Sequence, residues 1–406
     1  MHVLFVAPHF PSYQKQFVRA LFQVGAKVTG IGEAPAAMLP KDLRNWLYDY
    51  EQVSSVCSDT AMLETVRKIQ KRGWVDRLEA TIEAHMLTAA RTREACGIPG
   101  MSYEQTVICR DKTIMKEFMR KHGVPTAQST SVASAQDVLQ FARKHGFPLI
   151  LKPRAGAGAS GTWRINSEAD LTAILPETGL LHGNSMAIEE FIEGHEGFYD
   201  TLTVGHQIAH EFVSHYYPNV LEAMRHRNIA PVIITSNRID SPGYQELKVL
   251  GRKVIEKLQL HTAPTHMEWF YGPKGLKFSE IGARPPGVGQ WDLYCAANDI
   301  DLYREWAAGI VLGKTLERPS RNYSAAIITI RPTGDGHIKA YQGLEAVEKQ
   351  YGKWFIKSYF PPVGARTQPV EAGYMANAWI QMKYPDYDEL RAILADIGNR
   401  IQIIAN

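Results

Sequence analysis

The sequence predicts an α/β N-terminal domain, then α+β domains, then a small C-terminal subdomain. Three observations predict it. Short apolar runs at 3–7 and 27–31 flank an amphipathic stretch with Phe17, Val18, Leu21 and Phe22 on one face, and the strand–helix–strand rhythm continues through Val53 and Leu78. From about residue 103 the rhythm changes to strands followed by clustered helices. A β-branched run at 325–330 and a helical pattern near 387–398 mark the last unit. With 406 residues the chain is long enough for two or three packed units, and the boundaries read as 1–102, 103–185, 186–321 and 322–406.

Taken in order, the first loop is Ala7-Pro8-His9-Phe10-Pro11-Ser12. It lacks the glycine fingerprint of a dinucleotide fold, so a nicotinamide-binding domain is disfavoured. Helical stretches at 111–122 and 135–145 then alternate with strands at 126–132 and 148–153. A glycine-rich loop, a strand at 186–190 and a hairpin around Gly205-His206 come next, and two helical stretches near 287–313 close the region.

Composition narrows the class. Hydrophobic residues at 45% and charged residues at 21% fit a folded globular chain, and a net charge of +3 with interspersed signs gives no footprint for nucleic acid. The four cysteines are widely spaced with no Cys-x-x-Cys pair, as in a reducing compartment. The first ten residues read as a strand and not a signal peptide, and no apolar run approaches the roughly 18 residues of a membrane helix. A cytoplasmic protein with no membrane or nucleic-acid partner is expected. A homodimer is the base-rate expectation.

Four places carry chemistry. Lys152 ends an apolar strand (149–153) and runs directly into Arg154-Ala155-Gly156-Ala157-Gly158-Ala159-Ser160-Gly161. Small residues let backbone N–H groups approach an anion, and the lysine would neutralise phosphate oxygens, although a flexible surface loop has the same composition. Second, strand-like runs at 265–271 and 276–281 flank Pro273-Lys274-Gly275. A three-residue hairpin loop sets Gly272 opposite Leu276, and thereby Glu268 opposite Glu280. Like charges so paired need neutralising, and oxygen ligands suit magnesium; the alternative is a solvated pair in another register. Third, Arg284 follows Glu280 by four residues, and Gly287 and Gly289 open a helix whose N–H groups offer an anion site. Fourth, Glu189-Glu190-Phe191-Ile192-Glu193-Gly194-His195-Glu196 is a strand running into a polar turn. It reads as a purine and ribose contact or as an ordinary acidic strand end. His226, within Arg225-His226-Arg227, and the aromatics Trp291, Tyr216 and Tyr217 are further pocket candidates.

The order of these features resembles the ATP-grasp superfamily over roughly residues 103–313, with Lys112 of Arg110-Asp111-Lys112 opening the set. The resemblance makes 1–102 the N-terminal domain that precedes the ATP-grasp unit, 103–185 the small lid and linker region, and 186–321 the large catalytic domain. It implies that Lys112, Lys152, Gly158, Ser160 and Gly161 meet ATP phosphates. Glu189 and Ile192 would meet adenine through backbone groups, and Glu196 ribose. Glu268 and Glu280 would hold Mg²⁺, or Mn²⁺ in its place. Arg284 and the Gly287 amide would act on the transferring group. Gly282 stands where the family often has a metal-binding asparagine, and Pro285-Pro286-Gly287-Val288 replaces the Gln-Val-Glu-His run of biotin carboxylases. The Glu-Ile-Gly-Ala-Arg-Pro-x-Gly pattern is most similar to the bacterial L-amino-acid ligases and carnosine-synthase-type enzymes.

The function this implies joins a small-molecule carboxylate to an amine through an acyl phosphate, with release of ADP and phosphate. The glycine-rich loop at 156–161 would serve as a lid. The alternatives are transfer of the activated group to another acceptor, as in carboxylases and formate-using enzymes, and a nucleotide-binding sensor without turnover.

Overall fold

The computed structural model describes residues 1–155 and 161–406. It begins with four parallel strands, β1 (His2–Val6), β2 (Lys27–Gly32), β3 (Asp49–Gln52) and β4 (Arg77–Glu79), in the order β3-β2-β1-β4. Parallel strands are buried on both faces, and β1 shows it. Leu4 and Val6 pack with Ile31 and Leu78 on one side, while Val3 and Phe5 pack with Phe17 and Leu21 on the other.

The next four strands form a small antiparallel sheet. They are β5 (Ser129–Val132), β6 (Leu149–Pro153), β7 (Trp163–Ile165) and β8 (Met186–Glu190), in the order β5-β8-β6-β7. β5 is shorter than the strand expected from 126. Met186–Glu190, which the sequence places at the head of the third unit, pairs here between β5 and β6.

The large sheet takes β9 (His195–Val204), β10 (Gln207–Tyr217), β11 (Val232–Ser236), β12 (Ala263–Gly272), β13 (Gly275–Gly282) and β14 (Ser324–Ile330). β15 (Ile338–Gln342) and β18 (Gln402–Ala405) form a separate ribbon, while β16 (Phe355–Tyr359) and β17 (Ala378–Tyr384) rejoin the large sheet. The order is β13-β12-β9-β10-β11-β14-β17-β16. β9 and β10 are joined by Gly205-His206, with φ of 56° and 67°, the two left-handed residues that a tight hairpin twisting with its strands requires. The last strands share this sheet yet pack a core of their own around Ile328, Ile380, Leu390 and Leu394.

Alternation along β9, β10 and β12 sets two faces. Glu196, Phe198, Tyr216, His266 and Glu268 line a cavity on one face, and His195, His215 and Trp269 cluster on the other. Among the described residues, no helix is long and apolar enough to cross a membrane.

Candidate active site

A cavity of about 700 Å³ lies between the small sheet and the large one. Two ties span it, Lys274 Nζ to Glu190 Oε2 at 2.9 Å and Arg225 Nη2 donating to the Thr162 carbonyl at 3.2 Å.

The carboxylate pair forms as expected, by a different route. Glu268 is the cross-strand partner of Glu280, but Gly272 pairs with Gly275 around a two-residue turn of Pro273 and Lys274. A bulge between Glu268 and Trp269 then restores the register. The three-residue loop is thus corrected to two residues plus a bulge, and both carboxylates end on the cavity face.

The lysines are delivered by a capped helix. Asp111 Oδ1 accepts from the N–H groups of Thr113 and Ile114 at 3.0 and 3.1 Å, starting the helix Lys112–Lys121. Its other oxygen takes Arg154 Nη2 at 2.7 Å, and the Lys112 N–H donates to the Arg154 carbonyl at 2.9 Å. These bonds bring the helix start to the end of β6, so Lys112 and Lys152 face one space. Lys112 lies 3.3 Å from Glu280, and Lys152 ion-pairs with Glu189. Lys116, one turn after Lys112, also pairs with Glu189 and is almost wholly buried.

The electrostatics follow from burial and proximity. Burial alone would raise the Glu280 carboxyl, but Lys112, Lys152 and Lys116 outweigh it and bring the pKa down to about 2. Glu196 goes the other way: burial, then the neighbouring Glu268 charge, push it up to about 8. Burial lowers Lys152, and burial with Lys152 beside it lowers Lys116 further. His266 donates from Nδ1 to Asp200 at 2.8 Å and sits 3.7 Å from Glu268. Burial opposes its charge, but the two carboxylates prevail and raise it to about 9.

Arg284 lines the cavity and is backed by Glu83, which accepts from Nε at 2.8 Å and Nη2 at 2.6 Å. Arg110 pairs with the other Glu83 oxygen. Beyond Arg284 the loop is tight: Val288 has φ of 57° and Gly289 of 64°, ahead of the helix Gln290–Asn298. For a β-branched residue the left-handed region costs about 1–3 kcal/mol.

Of the residues singled out in the sequence, Lys112, Lys152, Glu189, Ile192, Glu196, His226, Glu268, Glu280, Arg284 and Gly287 all line the cavity. Gly158 and Ser160 lie outside the described residues; Gly161 is described, with φ of 64°. Three expectations need correction. Glu189 is flanked by β5 and β6 within the small sheet, so it is its carboxylate, and not its main chain, that the cavity meets. Trp291 is no pocket residue: it is 5% exposed and packs tilted against Phe17 at 5.1 Å and edge-on against Tyr303 at 5.2 Å, joining its helix to the N-terminal domain. Tyr216 lines the cavity, whereas Tyr217 points away and bonds Tyr387 at 2.8 Å. Lys116, Glu83, His266, Gln290 and Tyr374 were not anticipated. Lys116 and His266 had a signal, a helical turn from Lys112 and two residues from Glu268; the others had none.

A nucleotide fits these surroundings: a cavity between two sheets, three lysines on one side and two facing carboxylates at its floor. Residues 117–299 match the ATP-grasp domain family. Among curated proteins it is similar to an L-arginine-specific L-amino acid ligase of Bacillus subtilis, 29% identical over 251 residues that cover 60% of each chain. A D-alanine–D-alanine ligase of Bacillus cereus is 33% identical over 112 residues, 27% of this chain and 37% of that one. The chain thus spans under two thirds of the length of these relatives. Among solved structures, an L-amino acid ligase from Bacillus licheniformis shares the fold with a TM-score of 0.77 at 17% identity, covering 100% of this chain and 98% of that one. An N5-carboxyaminoimidazole synthetase from Staphylococcus aureus, solved with ADP, gives 0.69 at 16%, covering 98% and 96%.

Proposed function

We propose that this chain is an ATP-dependent carboxylate–amine ligase that works through an acyl phosphate. The observation that carries the reading is the convergence, on one cavity, of the Glu268–Glu280 pair, Lys112, Lys152 and Arg284. The kinship with amino-acid ligases supports it; the arginine preference in the name of one relative is not carried over.

Glu268 and Glu280 fit a magnesium ion, which would offset the charge on bound phosphates. Among the described residues no trio of His, Cys, Asp or Glu could hold a metal. Two protein carboxylates with nucleotide oxygens are the donor set that magnesium commonly accepts. Glu280, held ionised by its lysines, is ready for that role.

The lysines do the positioning. Lys112 and Lys152 now rest on Glu280 and Glu189, and nucleotide phosphates would take their place as partners. Ile192 would face adenine, and Glu196 would accept from ribose hydroxyls. An oxygen of the substrate carboxylate attacks the γ-phosphorus; the bond to the β–γ bridging oxygen breaks and ADP leaves. The amine nitrogen then attacks the acyl carbon, loses its proton, and phosphate departs. Arg284, with Nε and Nη2 held by Glu83 and Nη1 by the Pro285 carbonyl, would present its remaining N–H groups to the oxyanion beside the Gly287 amide.

The test follows the oxygen. With an ¹⁸O-labelled carboxylate substrate, one ¹⁸O appears in inorganic phosphate alongside ADP and an amide product. Release of AMP and pyrophosphate would sink the acyl-phosphate route.

A further inference from the structure

The cavity floor changes character along the large sheet. The register sets Glu280 against Glu268, Glu268 against Phe198 and Phe198 against Ser214, while Tyr216, one strand beyond Phe198 and two residues along from Ser214, pairs with Ile233. At about 4.8 Å per strand, the floor passes from charged to apolar over about 14 Å. The Phe198 and Tyr216 rings lie 5.0 Å apart, and Val288 and Tyr374 line the same end. A guanidinium or carboxylate placed on this stretch would meet two rings and an isoleucine. An apolar side chain would be buried by them.

Two further features point to a ligand. Gln290 is 1% exposed and lines the cavity. Its Nε2 donates to Ser214 Oγ at 3.2 Å and Thr235 Oγ1 at 2.5 Å, while Oε1 has no partner among the described residues. Proton counting favours this orientation. Ser214 and Thr235 also bond each other at 2.9 Å, which needs one hydroxyl proton. Had the amide been reversed, the two hydroxyl protons could satisfy only two of the three contacts. The cavity therefore holds a buried acceptor awaiting an N–H donor. Val288 is the second feature. Its left-handed backbone suits glycine, which stands on both sides of it, yet here it sets a branched side chain over the apolar end.

We propose that the acid this protein activates is an α-amino acid with a large apolar or aromatic side chain. The side chain lies on Phe198, Tyr216 and Ile233 beside Val288, and the α-ammonium donates to Gln290 Oε1. The carboxyl group is then left toward Arg284 and Gly287, which precede Gln290 in the same turn of chain. This assignment rests on the ligase reading and adds a substrate class to it.

The test uses the full chain with magnesium and ATP, following ADP release and sequencing the products by mass spectrometry. Acyl donors are phenylalanine, leucine, alanine, aspartate, arginine and 3-phenylpropanoate, each against the same set of amine acceptors. Phenylalanine or leucine should exceed alanine, aspartate and arginine at least tenfold in kcat/KM, and occupy the acyl side of the product. 3-Phenylpropanoate, which lacks only the ammonium, should fall at least tenfold below phenylalanine. Gln290→Leu should collapse that second ratio toward one, chiefly through KM. Val288→Gly, which relieves the backbone and leaves folding intact, should shrink the advantage of phenylalanine over alanine. Preference for small or charged donors, aromatic residues found only on the amine side, or a phenylalanine to 3-phenylpropanoate ratio unchanged in Gln290→Leu would overturn the assignment while leaving the ligase standing. No ADP with any acid and amine would overturn the ligase reading itself, and this assignment with it.

Discussion

Two histidines, on the strands either side of β9, show how differently the two faces of the large sheet are built. His266, on the cavity face of β12, is held charged, with a pKa of about 9, because Asp200 and Glu268 flank it. His215, on the opposite face of β10, is held neutral, with a pKa of about 3. Burial lowers it first, and His195, 2.9 Å away, and then Arg391 lower it further. Around it stand Trp269, Tyr217 and Tyr387, and Tyr244 bonds its other nitrogen at 2.7 Å. The same three strands thus carry a field of paired charges on one side and a sealed aromatic cluster on the other. Buried charge persists only where a partner is fixed beside it, so the cavity face is arranged for ions and the other face for packing.

If that division holds, cavity-face changes strike turnover and far-face changes strike stability. The largest effect belongs to Glu280→Gln. It keeps the shape and removes the charge that Lys112, Lys152 and Lys116 surround. Turnover should fall by at least about 1000-fold, roughly 4 kcal/mol of transition-state stabilisation. Circular dichroism should report an intact fold, and a variant retaining a tenth of the activity would break the comparison.

Glu83→Gln comes next. Glu83 touches the cavity only through Arg284, so its loss should lower kcat by about 10- to 100-fold with the KM for ATP nearly unchanged. Glu83→Asp should recover part of it. A change confined to ATP affinity would show that Arg284 is placed by other means.

How far the sequence reveals this arrangement depends on the range of the interaction. The capped helix at Asp111, the end of β6 at Lys152 and the Glu268–Glu280 pairing are local or hairpin features, and residue spacing shows them. Even there the turn was one residue short and the bulge made up the difference, because a bulge leaves no mark in composition. Lys116 and His266 follow from the periods 3.6 and 2 once Lys112 and Glu268 are chosen. Glu83 meets Arg284 across 201 residues, and no local pattern predicts a contact between domains. Trp291 and Gln290 show how small the margin is. One step along a helix turns about 100°, enough to send the tryptophan into the interface with Phe17 and its neighbour into the cavity.

The smallest effect separates the two faces by sign. His215 has a folded pKa of about 3, below its unfolded value of 6.5, so the unfolded chain binds the extra proton as the solution is acidified. Its contribution to stability is complete above pH 6.5 and drains away below it, at about 1.4 kcal/mol per pH unit, roughly 2 kcal/mol by pH 5. His266 has the opposite arm: a folded pKa of about 9 gives stability that is complete below pH 6.5 and lost as the pH rises through 9. Urea midpoints measured from pH 5 to 9 on the wild type, His215→Gln and His266→Gln would resolve the two. His215→Gln should flatten the acid limb alone, with turnover at pH 7.5 nearly unchanged, since the ring lies on the face away from the cavity. His266→Gln should flatten the alkaline limb and also lower turnover, because it removes the cation beside Glu268. If both variants flattened the same limb, the charge assignment of one face would be wrong, and with it the reason those strands have two unlike sides.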